Sequence, residues 1–344
     1  MATIYDVARE CGFALSTVSN VINNGPRPVR PETRRRILDA MQRLDYHPNA
    51  VARGLARQRT NNLGILFGVV DPSAIVINAY STAILQGALT AAAQAGYNIT
   101  HLTRPWIDKE HSLSYFNDRS TDGILAVALP TGSDLIPCLS SLNVPLVAVS
   151  WPPEVGGVPS VDIDDVHGTR LVMRHLLELG HTRIAHITGH PNLVSACVRQ
   201  DIYLQCLAEA GIAPLPEYLR VGFYTPEAGY EHASHLMALP QPPTAIFAGN
   251  DEIAIGVLTA ARDRGVRVPE QLSVVGVDNR PELRMVTPPL TTLRQPFVPM
   301  GEEAIRLLIQ RVEGQAVPAT TRLFKPDLIE RGSTAPPAQA GDWL

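Results

Sequence analysis

The sequence predicts an all-α helix-turn-helix head followed by an α/β body of two lobes, each a parallel sheet flanked by helices. Three observations predict it. Two short amphipathic segments meet at Gly12, and a third begins at Pro31. From Leu63 onward, apolar runs of strand length alternate with amphipathic helices, and the alternation runs through twice. Charge divides at the same place: residues 1–60 hold ten arginines against five acids, whereas the rest carries 19 basic and 28 acidic residues. A basic head that docks on phosphates, ahead of an acidic body that does not, follows from that division.

Taken in order, Thr3 can cap a first helix whose third residue is Asp6, the spacing of a capping box, with Ile4, Val7 and Ala8 recurring on one face. Leu15 to Asn23 repeats the pattern, Val18, Val21 and Ile22 inward and Ser16, Thr17, Ser19, Asn20 and Asn23 outward. Gly12 at the bend makes the two helices cross, and small polar side chains opposite the apolar face suit a helix that reads DNA. Pro31 is tolerated at a first helical position, so a third helix starts there and supplies Ile37, Leu38, Met41 and Leu44 to a mini-core. Residues 48–61 read as a short helix capped by Asn49, then a linker. Helices this short are marginal alone, and Gly54 costs about 1 kcal/mol relative to Ala, so this one needs a partner to fold.

The body opens with LGILFGV, YNITHL, DGILAVAL and VPLVAVS around a helix at 80–95, then starts again with a helix at 168–179, RIAHITG, a helix at 195–210, TAIFAG, a helix at 252–264 and LSVVGVD. Strands buried on both faces and separated by helices imply parallel sheets. Ligands of such sheets bind outside the carboxyl ends of the strands, and two sets of ends face one another across a cleft. The polar residues there are Asp164, closing VPSVDID; Arg199, in the following helix; Asn250 and Asp251, closing TAIFAG; and Asp278, closing LSVVGVD. Carboxylates, an arginine and an amide can pair with the hydroxyls of a polyol and hold it without catalysis. Asp251 reads as a helix N-cap instead. Residues 332–344, rich in Ala, Pro and Gly, read as a disordered tail.

Several classes are disfavoured. At 344 residues the chain makes two or three domains. Cys11, Cys138, Cys197 and Cys206 form no CxxC pair, which argues against a zinc ribbon or a disulfide framework and for a reducing compartment. The N-terminus lacks an apolar h-region and no apolar run reaches membrane-span length, so a soluble, cytoplasmic, nucleoid-associated protein with no membrane partner is expected. GxSxG and a P-loop lysine are missing. His232 and His235 share a helical face at metal-binding spacing, but a third ligand is missing and they read as a solvated pair. No enzyme, cofactor or metal is expected.

The motifs TIYDVA, TVSNVIN, LDYHPN, AVARGLA, LGILF, LGHTRIAHITG, GNDEIAIG, VVGVDN and PPLTTLRQP, in this order along nearly the whole chain, resemble the LacI/GalR (lactose-repressor) family of bacterial transcription regulators. The resemblance implies a two-lobed, periplasmic-binding-protein-like body over 62–331. Its crossovers are expected near 158–164, 288–294 and 318–323, giving a first lobe of 62–160 plus 292–320 and a second of 161–290 plus 321–331. It places Leu15, Ser16 and Asn20 at base-reading positions. Thr3, Tyr5, Thr17, Ser19, Asn23, Thr33, Tyr46 and Asn49 then hold phosphates, Ala52 and Arg53 line the minor groove, and Leu55 wedges into it. Asp164, Arg199, Asn250 and Asp278 correspond to ligand contacts, Tyr224 to a stacking position, and Gln295 lies near the cleft.

Departures matter. Ala14 gives up a hydroxyl cap worth about 1 kcal/mol, and Arg30 stands where a capping Ser is common. Asn20 replaces a frequent Arg, favouring adenine over guanine. Val70–Ile75 stands in place of the usual first-cleft loop, and Ile202 replaces a frequent Gly. The expected protein is a homodimeric repressor on a pseudo-palindromic operator, its affinity set by a small-molecule effector: a carbohydrate or, alternatively, a purine-type co-repressor. A transporter's solute-binding protein shares the body but would need an export signal and no basic head. A sugar-modifying enzyme would need a catalytic constellation.

Overall fold

The computed structural model describes residues 2–23, 25–47, 59–68, 78–152 and 154–337. Two compact units emerge, residues 1–62 with 120–122, and the rest.

The first unit contains α1 (Ile4–Cys11), α2 (Leu15–Ile22) and α3 (Pro31–Arg43). The capping box forms as the spacing predicts: Asp6 N–H donates to Thr3 Oγ1 at 3.4 Å, and Thr3 N–H to the Asp6 carboxylate at 2.9 Å. Gly12 ends α1 at φ 73°, the left-handed region where a Cβ is penalised. Arg36 fastens the bend from α3, donating to the Cys11 carbonyl at 3.1 Å with its guanidinium 4.8 Å above the Phe13 ring. Val7, Cys11, Val18, Val21, Ile37 and Ala40 form the core. Leu38 does not join it. It is 47% exposed, because Ile37, Ala40, Met41 and Leu44 complete the inward face and Leu38 lies off that stripe. Ala14 and Arg30 precede their helices without a side-chain cap, as expected.

In the second unit the first sheet has β1 (Asn62–Phe67), β2 (Asn98–His101), β3 (Gly123–Val127), β4 (Leu146–Val149), β5 (Ser160–Ile163) and β11 (Thr321–Phe324), in spatial order β11-β5-β4-β3-β1-β2. Its helices are α4 (Ala79–Gln94), α5 (Lys109–Phe116), α6 (Leu135–Ser141) and α11 (Phe297–Val312). The second sheet has β6 (Ile184–Thr188), β7 (Leu219–Val221), β8 (Ala245–Ala248), β9 (Ser273–Asp278), β10 (Thr291–Arg294) and β12 (Asp327–Ile329), in order β12-β10-β9-β8-β6-β7. Around it pack α7 (Asp165–Glu178), α8 (Val194–Glu209), α9 (Pro226–Met237) and α10 (Asp251–Asp263).

Burial on both faces follows strand alternation. Leu125 and Val127 of β3 join a core with α4 and α11, while Ile124 and Ala126 join the opposite core. In the second sheet Ile246 and Ala248 divide from Ala245 and Phe247 in the same way. β1–β3, β3–β4, β4–β5 and β5–β11 in the first sheet, and β6–β7, β6–β8, β8–β9 and β9–β10 in the second, pair parallel, whereas β12 runs antiparallel to β10, an edge that the apolar runs do not foretell.

The lobe boundaries also differ from expectation. β10 pairs with β9, so residues 291–294 belong to the second sheet; β11 pairs with β5, so 321–324 belong to the first, as do 160–163. The crossovers therefore fall a few residues later, after β5, β10 and β11. Strand identity here is set by which neighbour completes the ladder, which these short apolar runs do not encode.

The start of the expected disordered tail is ordered. Ser333 is fully buried: its hydroxyl donates to the Val274 carbonyl at 2.6 Å and accepts from Thr291 N–H at 2.8 Å, while its carbonyl accepts from Val274 N–H at 2.8 Å. His181, also buried, links this strap to Thr244 and Ser273. Composition marked the segment as weakly hydrophobic; its backbone is held by polar groups the rest of the lobe leaves open.

Candidate nucleic-acid interface and ligand cleft

On the head, Tyr5, Leu15 and Ser16 are exposed, and Thr17, Ser19 and Asn20 are half-buried on the same second helix. One Asn20 amide hydrogen goes to the Arg27 carbonyl at 2.8 Å, and Gly25 leaves room for the Asn20 side chain, where a Cβ would fall 2.3 Å from its oxygen. Asn20 thus also ties down the loop after α2. The Asn23 amide donates to Ser19 Oγ at 3.2 Å. Thr3 spends its hydroxyl on the capping box, donating to Asp6 at 2.7 Å. Those bonds hold the Asp6 carboxyl below its usual range, with Arg9 adding to the effect. Thr33 is half-buried on α3, and Tyr46 packs against the head core. Asn49, Ala52, Arg53 and Leu55 lie outside the described residues, as does Val70–Ile75 of the cleft loop.

In the second unit the polar residues gather where the sheet geometry puts them, at carboxyl ends of strands. Arg199 enters from α8 and is 7% exposed. Its Nε donates to Asp165 at 2.7 Å, and one terminal nitrogen donates to the Gly249 carbonyl at 2.8 Å. Burial works against its charge, but Asp165, with lesser help from Tyr224 and Asp278, leaves the guanidinium firmly protonated. Asp278 ends β9 and accepts from the Gln295 amide at 3.0 Å. Burial first, then the nearby Asp251 carboxylate, raise its carboxyl well above the usual range, against the pull of Arg199.

Tyr224 follows β7 and places its hydroxyl 3.4 Å from Ser195. Its ring lies so close over Gly189, the residue after β6, that a Cβ there would fall 1.9 Å from the ring, so the position suits glycine. From the first lobe, the Tyr80 hydroxyl stands 3.2 Å from Ser150 Oγ, which donates to Asp162 at 3.0 Å. The two lobes also touch directly, the Thr131 N–H donating to the Asn192 carbonyl at 2.8 Å.

Residues 3–49 match the family model described as bacterial regulatory proteins, lacI family, and residues 173–334 match the periplasmic binding protein-like domain. The HTH-type transcriptional repressor PurR of Erwinia tasmaniensis is 35% identical over 97% of each chain. The catabolite control protein A of Priestia megaterium is 34% identical over 92% of this chain and 94% of its own. The chain belongs to the lacI family of bacterial regulatory proteins. Its fold superposes on the lac repressor dimer bound to operator and the anti-inducer ONPF with a TM-score of 0.86, at 28% identity over 97% of this chain and 99% of that one. A transcriptional regulator CelR–cellobiose complex gives 0.73, also at 28% identity, over 97% and 100%. The protein is a DNA-binding transcriptional repressor of this family, among regulators rather than enzymes.

Within this lacI-family repressor, Tyr224, Asn250, Asp278 and Gln295 stand at or just beyond strand ends of the second lobe and Arg199 reaches in from α8, and one expectation, the cap of α10, changes. Asp164 is occupied as the cap of α7, accepting from His167 N–H at 2.9 Å, and the carboxylate that meets Arg199 is its neighbour Asp165. Capping α10 falls to Asn250, which accepts from Ile253 N–H at 2.9 Å, and not to Asp251. Asp251 is fully buried and accepts from Thr292 Oγ1 at 2.7 Å and Arg280 N–H at 2.8 Å. An extended residue just before a helix points its side chain back at the first turn, whereas the next residue turns aside, so adjacent acids or amides exchange roles on a one-residue shift. Asp162, Tyr80 and Ser150 were missed. The one available signal was Asp162, a charge inside the otherwise apolar SVDI strand. His232 Nε2 donates to the Val221 carbonyl, 2.8 Å away.

Proposed function

We propose that this repressor binds a pseudo-palindromic operator as a homodimer, and that a carbohydrate held at the strand ends of the second unit sets its affinity for DNA. One arrangement supports the ligand class: Arg199, fixed by Asp165 and the Gly249 carbonyl, acts on Asp278, which the Gln295 amide holds in place. Donors and acceptors that are already oriented pair with hydroxyls at low ordering cost. Asn250 and Tyr224 complete the wall, Tyr224 offering a ring to stack on an apolar sugar face.

On the head, Leu15, Ser16 and Asn20 read bases. Asn20 keeps its oxygen and second amide hydrogen for the bidentate pairing that favours adenine. Thr3, Tyr5, Thr17, Ser19, Asn23, Thr33, Tyr46 and Asn49 hold the backbone, Ala52 and Arg53 line the minor groove, and Leu55 is the apolar wedge. A purine-type co-repressor is the second reading, favoured by the 35% identity to a repressor named PurR and by the Tyr224 ring, which can also stack on a flat heterocycle.

The test is a thermal-shift screen of the full chain against mono- and oligosaccharides and purines, followed by operator gel shifts with each hit. A sugar is expected to shift unfolding and to change operator affinity by about 5- to 150-fold, the usual span of such coupling. Asp278→Asn should abolish that response and leave ligand-free operator binding intact. Shifts with purines alone would replace this reading by the second.

A further inference from the structure

We propose that Arg331, on the segment after β12, is a positioning residue of the ligand site: its guanidinium clamps the Asp278–Asn279 turn and so directs the Asp278 carboxylate. The inference rests on the reading that Asp278 meets the effector, and it deepens that reading by naming the group that aims the carboxylate.

The backbone at the end of β9 needs such a clamp. Asp278 has φ 123° and Asn279 φ 61°, two successive residues with side chains at positive φ. That conformation is uncommon outside glycine and persists where surrounding groups over-determine it. It reverses the chain. Asn279 N–H donates to Thr292 Oγ1 at 3.3 Å, and Thr292 stands opposite Gly276 in the ladder, so Asn279 has turned back along β10.

Three holds keep the turn in place. Thr292 takes the Asn279 N–H, Asp251 takes the Arg280 N–H at 2.8 Å, and the Asn279 side-chain oxygen accepts from Arg331. Thr292 and Asp251 are fully buried and bonded to each other at 2.7 Å, so the first two holds act as one. They grip the backbone. Arg331 grips the side chain next to Asp278, and its other terminal nitrogen donates to the Leu290 carbonyl at 2.6 Å. The fork thus ties the turn to the residue before β10, while Gln295, just past β10, donates to Asp278 at 3.0 Å.

The guanidinium is separable from the fold of its own segment. Arg331 N–H donates to Thr291 Oγ1 at 3.0 Å, and Ser333, two residues on, is bonded to Thr291 and Val274. These bonds hold the segment whatever side chain stands at 331. A planar fork reaches two acceptors at fixed spacing, which an ammonium of the same charge does not.

The experiment has two arms, both on the full chain. In ligand-free hydrogen-exchange mass spectrometry, Arg331→Met should raise exchange in a peptide spanning 276–283 while one spanning 332–337 stays protected. Unchanged exchange over 276–283, or lost protection over 332–337, would overturn the clamp. In calorimetry the probes are glucose, galactose, ribose, cellobiose, adenine and guanine. For any probe that binds, Arg331→Met and Asn279→Ala should each weaken binding by about tenfold, and the double variant no more than the weaker single, because both remove one contact. Arg331→Lys, which keeps the charge without the fork, should lose about as much as Arg331→Met. Parent-like affinity in Arg331→Met or Arg331→Lys, or losses that add in the double variant, would overturn the proposal. Ligand-free operator binding should stay unchanged in all four variants, which establishes that they fold. Asp278→Asn separates this proposal from the reading beneath it. If that variant abolishes binding and Arg331→Met does not, the positioning role alone fails; if binding survives Asp278→Asn, or no probe binds the parent, both fail.

Discussion

Asp162 is a carboxylate that the fold keeps largely from water and whose pKa burial and Asp165 raise to about 7. Asp251, raised by burial to about 6 despite its bond from Thr292, behaves alike. Below pH 3.8 folded and unfolded chains both hold these protons. Between there and the raised value the folded chain keeps a proton that the unfolded chain has lost, so stability falls as pH rises through that window and levels off above about 7. Asp162→Asn should therefore be increasingly more stable than the parent as pH goes from 5 to 8 in ligand-free thermal unfolding, each kcal/mol appearing as about 2–4 °C. A constant difference across that range would mean the carboxyl is not perturbed. The Arg199–Asp165 pair illustrates the limit of residue-level reading. Arg199 was legible as a polar residue beyond a strand end, but its partner was not, because Asp164 and Asp165 are chemically identical and only the entry angle of α7 separates the cap from the ion pair.

Between elements, glycine sets how closely helices can approach. In the first lobe, Gly87 of α4 and Gly301 of α11 face each other's backbones: a Cβ would stand 2.0 Å from the Val298 carbonyl oxygen and 2.2 Å from that of Ile84. The second lobe repeats the device with Gly229 of α9 and Gly256 of α10, where the distances are 2.2 Å to Ile253 and 2.0 Å to Pro226. Helix propensity alone predicts that alanine would gain about 1 kcal/mol at such positions. Backbone atoms cannot swing aside as a side chain does, so overpacking should prevail. Gly301→Ala is expected to destabilise by about 1–3 kcal/mol in urea unfolding, and a stabilised variant would show that the helices separate freely. The elements themselves were legible, since their periods of 3.6 and 2 are local. The packing partner of each helix was not, nor the pairing of β10 and β11.

For the whole molecule, the proposed function gives DNA contact to the first unit and ligand binding to the second. If Leu55 is the wedge, Leu55→Ala should weaken operator binding about tenfold, ~1.4 kcal/mol, and remove the bend, measured by gel-phasing assays, while ligand affinity in the second unit stays unchanged. Unchanged bending would sink the assignment. The sequence by itself determined that a basic three-helix head precedes a twice-repeated α/β body, and that polar residues collect at strand ends. Hydrophobic periodicity, caps and charge are properties of short stretches, and short stretches can be read without their surroundings. Tertiary structure alone decided that Arg199 meets Asp165 and the Gly249 carbonyl, and that the Gln295 amide meets Asp278. It also turned residues 333–337 from a loose tail into a hydrogen-bonded strap anchored by the buried Ser333. Both outcomes depend on which buried polar groups remain unsatisfied after the sheets have formed, and that balance exists only once distant parts of the chain are brought together.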